Sequence, residues 1–511
     1  MKGFFGFLLL SVFYTGYLQA QTGDSKRAYE LLAINNFEEA LTEFLMVLEE
    51  SPDDVKLNYR VAVCMLNLNG DKSRAIPYLE KVIQTQPVEN NAYYLLGRAY
   101  HYGQQFDKAV DSYKKYSELG GGTAASKQEV DMEIQYCYNA KELVKYPVNV
   151  SFENLGKNVN SVYSDYFPFV PTSESFLVFN SKRDEYSEEL PNGTWASNVY
   201  FSQVRNGVFE KAVPLGENIN TVDANEEVIG LSAAGDIMLL LLSNGLGGDL
   251  YLTNKQGDSF DKPVKLDETI NSKNHEIAAS ITKDGNTIFF ASDRKGGVGG
   301  TDIYMSKKLP IGGWGPPQNL GNTINTEFDE DFPNISTDGK SLYFSSKGHT
   351  SMGGYDIFKA TWNAETKKFE NAMNVGYPLN TTYDDMNLRM SETGRYGYIA
   401  AIRPEGLGDY DIYRVTLNEI ESKFTVIKGY IRSSEPIEDI IIDVTDKKTG
   451  ELYGSYLPNF NTMKYVVILP PGEYTMDVDA DAHTPISETI VVYDKSSFEA
   501  EVDKDIMLTP N

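Results

Sequence analysis

Five acidic residues, Asp165, Glu226, Glu276, Glu330 and Asp385, recur along the chain at spacings of 61, 50, 54 and 55 residues. Carboxylates repeated around one axis form a ring that would bind a cation or a basic peptide. Each can equally cap its own turn or bond a neighbouring repeat, and a residue repeated at a repeated position is more often used that way. A second acidic set, Asp249, Asp302, Asp356 and Asp411, lies two residues before Tyr or Phe. Its repetition argues for fixing loops between strands and against a unique active site.

Other chemistry is sparse. Gly296 to Gly300 is glycine-rich like a phosphate cradle, but no Lys-Ser or Lys-Thr follows and the chain continues into a strand, so it reads as a turn. The four histidines, His101, His275, His349 and His483, form no pair at ligand spacing, so neither a zinc site nor a Ser-His-Asp triad is expected. His275 beside Glu276 is the nearest thing to a catalytic pair, and it lacks a nucleophile. Tyr93, Tyr94, Tyr100 and Tyr102 would line a partner-binding groove in a helical repeat, or simply pack between helices. No catalytic residue, metal site or cofactor is expected.

The elements that carry these residues fall into three zones. Residues 21–146 have helical periodicity with a repeat near 34 residues, the tetratricopeptide length. Ala40, Ala75 and Ala109 mark close helix approaches, and Pro52 and Pro87 end second helices. A closing helix is expected over Lys127 to Leu143, after Gly120-Gly121-Gly122.

Residues 147–420 change to short strands with a repeat of just over 50 residues. An apolar-Asn marker occurs five times, at Val159-Asn160, Ile219-Asn220, Ile270-Asn271, Ile324-Asn325 and Leu379-Asn380. A second marker keeps phase with it: Asn198-Val199-Tyr200, Asp249-Leu250-Tyr251, Asp302-Ile303-Tyr304, Asp356-Ile357-Phe358 and Asp411-Ile412-Tyr413. Five four-stranded units of this kind predict a five-bladed β-propeller, with Val148 to Leu155 pairing with the last blade to close it. Residues 424–511 carry about seven alternating strands with turns at Asp446 to Gly450 and Pro470-Pro471-Gly472, which predicts a β-sandwich. The fold class is thus multidomain, α plus all-β.

Residues 1–20 read as a signal peptide: Lys2, the apolar run Phe4 to Phe13 and Leu18-Gln19-Ala20 before a cut at Gln21. The mature protein is expected to be exported, with no transmembrane segment, since the longest later aliphatic run is Ile237 to Leu242. A net charge of −27 repels phosphate backbones and excludes direct nucleic-acid binding. Cys64 and Cys137, two repeats apart, are expected to be separate buried thiols.

The units containing Ser292-Asp293-Arg294 and Asp302-Ile303-Tyr304, with Ser336 to Lys340 and Leu342 to Ser346, resemble TolB-type (PD40, WD40-like) propeller repeats. Lys428-Gly429, Thr445 to Gly450 and Leu469 to Tyr474 resemble the carboxypeptidase regulatory-like, transthyretin-like sandwich, which is not a peptidase. The order of the three modules resembles Bacteroidota envelope proteins of the type IX secretion and gliding machinery, many of which continue into an OmpA-like peptidoglycan-binding domain that is not found here. That resemblance implies a non-enzymatic periplasmic or outer-membrane-associated scaffold that binds envelope proteins, outer-membrane or secretion-complex components among them. The alternative is a sensor whose propeller mouth takes a peptide, glycan or cation.

Overall fold

The computed structural model describes residues 23–511 apart from 86–88, 184–188, 191, 222–224, 244–247, 258, 392–393, 419–424, 438 and 494–500. The signal-peptide segment and Pro87 lie outside the described residues.

Among the described residues seven α-helices come first: α1 (Ser25–Ala33), α2 (Phe37–Glu50), α3 (Val55–Asn67), α4 (Ile76–Gln84), α5 (Asn91–Tyr102), α6 (Phe106–Glu118) and α7 (Lys127–Leu143). Their ends are written locally. Asp24, Asn36 and Asp54 cap α1, α2 and α3, and Ser126 with Glu129 forms a capping box on α7. Ala40, Ala75 and Ala109 are fully buried, as close helix approach demands. Gly97 is held to the same rule, because a Cβ there would sit 2.6 Å from the Tyr113 ring. Cys64 and Cys137 are buried and free.

Five antiparallel sheets follow. Sheet I is built on Asp165–Phe169, Phe176–Ser181 and Asn198–Arg205, and sheet II on Asn225–Leu231, Ile237–Ser243 and Gly248–Gln256. Sheet III contains Glu276–Ile281, Thr287–Ser292, Asp302–Lys307 and Gln318–Asn319. Sheet IV contains Glu330–Ile335, Ser341–Ser346, Asp356–Asn363 and Lys368–Asn374. Sheet V takes Arg389–Met390, Tyr396–Ala401 and Asp411–Leu417, and its fourth strand is Val150–Asn154, in register from Val150 opposite Leu417 to Asn154 opposite Tyr413. The first and last parts of this region are therefore tied by backbone pairing.

The two sequence markers turn out to be one device. Asn160, Asn220, Asn271, Asn325 and Asn380 each accept the N–H of the residue after the second marker's first position: Ile412, Val199, Leu250, Ile303 and Ile357. Each returns an Nδ2–H to the carbonyl of that same residue, at 2.8 to 3.0 Å. One amide thereby takes the backbone N–H and adds a second donor to a carbonyl that already accepts the N–H of Leu155, Leu215, Leu266, Leu320 or Val375, which is why Asn recurs there.

Neighbouring sheets are latched where their first strands begin. The N–H groups of Glu226, Glu330 and Asp385 donate to the carbonyls of Ser197, Thr301 and Tyr355 in the preceding sheet. Asp165 N–H donates likewise to Tyr410 O at 2.8 Å, so sheet V touches sheet I and the succession is a ring. Gly408 is needed at that closure, since a Cβ would come within 2.4 Å of Val162 carbonyl atoms.

The tail forms two four-stranded sheets and a short pairing of His483–Thr484 with Thr509–Pro510. One pairs Thr425–Arg432 with Lys464–Leu469, Glu501–Asp503 and Ile506–Met507; the other orders Leu452–Tyr456, Ile440–Asp446, Gly472–Ala480 and Ile486–Val492. Ile427, Val467 and Leu469 of the first share one apolar core with Ile442, Val444 and Val478 of the second. Gly429 has no room for a side chain, with Lys504 O against its α-carbon.

Candidate functional site

The five repeated carboxylates are buried, and each is engaged by its own turn. Asp165, Glu226, Glu276, Glu330 and Asp385 accept both the N–H and the hydroxyl of Ser161, Thr221, Ser272, Thr326 and Thr381 respectively. This is the geometry of a turn cap. Their lone pairs point into the fold.

What differs between sheets is the counter-charge. Arg183 pairs with Asp165 at 2.9 Å and Arg294 with Glu276 at 3.0 Å, each guanidinium lying over aromatic rings. In sheet IV the position equivalent to Arg294 is Gly348. His349 Nε2 takes over only the arginine's bond to the turn carbonyl, Ile324 O, at 2.8 Å, where Arg294 Nη2 meets Ile270 O. Left without a cation, the Glu330 carboxyl is pushed up to about 7 by burial. Burial does the same to Asp331 and Asp385, each also raised to about 7.

The second acidic set fixes loops. Asp302, Asp356 and Asp411 accept the N–H groups of Val298, Met352 and Leu407, four residues earlier, and the amides of Asn319, Asn374 and Asn154. Asp249 instead pairs with Lys265 Nζ at 2.7 Å. His275 turns away from Glu276: its Nδ1 lies 3.0 Å from Asp293 on the exposed surface. Among the described residues, no three His, Cys, Asp or Glu side chains are set to hold a metal ion.

The centre of the ring is filled. Phe167 of sheet I meets Phe332 of sheet IV with ring centroids 4.6 Å apart. Further along the same strands, Arg389 of sheet V reaches Val170 O, Leu231 O and Asn334 Oδ1 on sheets I, II and IV.

The four tyrosines of the helical array do not form one open surface. Tyr94 and Tyr100 are buried, Tyr94 against Tyr113 and Tyr116 and hydrogen-bonded to Glu133, Tyr100 donating to Glu80 at 2.6 Å. Tyr93 is half-buried against the array's core. Tyr102 packs on the array's core and also reaches beyond it: Arg98 donates to its hydroxyl at 3.0 Å, and its ring lies tilted 4.8 Å from Tyr383, in the turn leading into sheet V, with Lys72 Nζ over both rings.

Tyr102 belongs to a joint that sequence reasoning missed. His101 Nε2 donates to Met352 O at 2.8 Å, Asn139 Nδ2 to Ser351 O at 2.8 Å, and Tyr136 OH to Lys347 O at 2.5 Å. Met352 is fully buried within the core of the helical array. Asn69 Nδ2 adds a bond to Asp409 Oδ2 at 2.8 Å. Beneath these contacts burial works against the Glu133 carboxylate, yet hydrogen bonding and charge from His101, with Arg98 and Tyr113, hold it below the usual range. A cavity of about 190 Å³ remains between Arg98, Glu133, Lys347 and Asp384. The helical array thus sits on the end of the ring where the five carboxylates begin their strands, over sheets I, IV and V.

Residues 91–119, α5 through α6, match the tetratricopeptide repeat family. Those helices are a tetratricopeptide unit. No curated relative matches the chain. Among solved structures, TolB from Acinetobacter baumannii aligns at 14% identity over 58% of this chain and 71% of its own, with a TM-score of 0.34. A putative TolB from Agrobacterium tumefaciens aligns at 13% identity over 63% and 97%, at 0.31. A structure described as a glycoside hydrolase aligns at 9% identity over 57% and 96%, at 0.38. At such scores these likenesses carry no function to this chain. No helix among the described residues is long and apolar enough to cross a membrane.

Proposed function

We propose that this protein is a non-enzymatic scaffold of the bacterial envelope, in which a tetratricopeptide array and a five-bladed TolB-type propeller are held as one body. The single observation that carries the reading is the joint at Met352, Tyr102 and His101. Two repeat architectures, each with a large recognition surface, are locked in a fixed relation, which is what positioning partners requires. The five sheets are read as blades, closed by Val150–Asn154, and the two tail sheets as a carboxypeptidase regulatory-like sandwich at 424–511.

The location follows from the signal-like segment 1–20 and the module order: exported, periplasmic, and associated with the outer membrane through partners. A type IX secretion, gliding or surface-assembly complex is the setting the resemblance implies. Affinity purification of the tagged protein from its native envelope after mild detergent extraction tests this. Stoichiometric envelope components should co-purify; isolation alone would count against it.

A further inference from the structure

Arg389 is 6% exposed, and all three of its hydrogen bonds go to neutral acceptors: Asn334 Oδ1 at 2.6 Å, Leu231 O at 2.9 Å and Val170 O at 3.4 Å. Other arginines of the ring are neutralised, the buried Arg183 by Asp165 and Arg414 by Glu153, and the half-buried Arg294 by Glu276. Arg389 has no carboxylate partner among the described residues, and burial alone lowers its pKa to about 10. An uncompensated buried charge is costly, and two of its five N–H groups remain beyond these bonds.

Arg389 lines a cavity of about 420 Å³ at the end of the ring opposite the helical array. Thr337 and Tyr343 line the same cavity, and Lys283 and Lys359 stand exposed at its rim. The rim carboxylate, Asp338, is committed to Ser336 Oγ and Lys340 N–H. Three cations therefore converge on one polar cavity in a chain of net charge −27.

We propose that this cavity binds a small dianion, a dicarboxylate or a phosphomonoester, with one oxyanion against Arg389 and the other between Lys283 and Lys359. The volume suits a small molecule. Charge-assisted bonds from a guanidinium are the strongest available for such groups. The site does not depend on the partner-holding role, since it lies away from the joint.

Isothermal titration of the full chain with succinate, and separately with inorganic phosphate, tests it, with neutral succinamide as control. At least one dianion should bind saturably with a Kd below about 1 mM, and succinamide should not. Binding of succinate alone makes the ligand a carboxylate; binding of phosphate alone makes it a phosphate. The exposed-residue variant K283Q/K359Q should keep the wild-type melting curve and lose affinity by about tenfold or more. No saturable binding of either anion, or undiminished binding in that variant, overturns the proposal.

Discussion

Asn160 donates to the carbonyl of Ile412 at 3.0 Å and accepts its N–H at 2.8 Å, joining residues 252 positions apart. The same amide pair in the other four units joins residues 21 to 23 positions apart. The Asn160 copy therefore closes the ring, and the others only brace it.

Replacing Asn160 with Ala leaves the buried N–H of Ile412 without a partner, while its carbonyl keeps the Leu155 N–H. Such a loss costs about 1–3 kcal/mol. Urea denaturation of Asn160→Ala should show at least that loss. If this pair closes the ring, protease sensitivity should also rise in Val150–Asn154, which Asn220→Ala should spare.

Gly97→Ala sets helix propensity against packing. Alanine is the better helix former by about 1 kcal/mol, but its Cβ would lie 2.6 Å from the Tyr113 ring. Overpacking of about 1–3 kcal/mol should win, lowering the melting temperature of the helical array. A gain in stability would mean that α5 and α6 are not held as close as described.

Much of this was legible because it repeats. The Asn and Asp markers announced five units, and the apolar alternation announced the tail strands. The repeated carboxylates were visible too, but their use as turn caps depended on Ser161, Thr221, Ser272, Thr326 and Thr381, residues of two types at two spacings. The joint was not legible, because it pairs residues 251 apart that belong to different periodicities. One signal was present: Val298 and Met352 hold the same place before Asp302 and Asp356, yet Val298 is 39% exposed and Met352 fully buried. Only three-dimensional docking separates them. Arg389 was missed for the opposite reason, since it occurs once and breaks the repeat.

Glu330, Asp331 and Asp385 have folded pKa values near 7, above the ordinary carboxylate range. Between about pH 4 and 7 the folded state then binds more protons than the unfolded one, so their contribution falls as pH rises through that window. Stability measured by denaturation should drop from pH 5 to pH 8, by about 1.4 kcal/mol per pH unit at most for each group. Glu330→Gln should flatten part of that slope. An unchanged slope in the variant would mean Glu330 is ionised throughout.

Met352→Asp puts a charge into the core of the helical array and should undock it from the ring. Small-angle scattering should report a larger radius of gyration, with far-ultraviolet circular dichroism unchanged. An unaltered radius would show that the remaining contacts, Tyr102 with Tyr383 and Tyr136 with Lys347, suffice to hold the joint.

The most direct measurement is a side-by-side affinity purification of wild type and Met352→Asp from the native envelope, with co-purifying proteins quantified by mass spectrometry. A scaffold that works by fixed geometry predicts stoichiometric envelope partners with wild type and their marked loss from the undocked variant. Wild type isolated without partners, or a variant that retains them all, would contradict it.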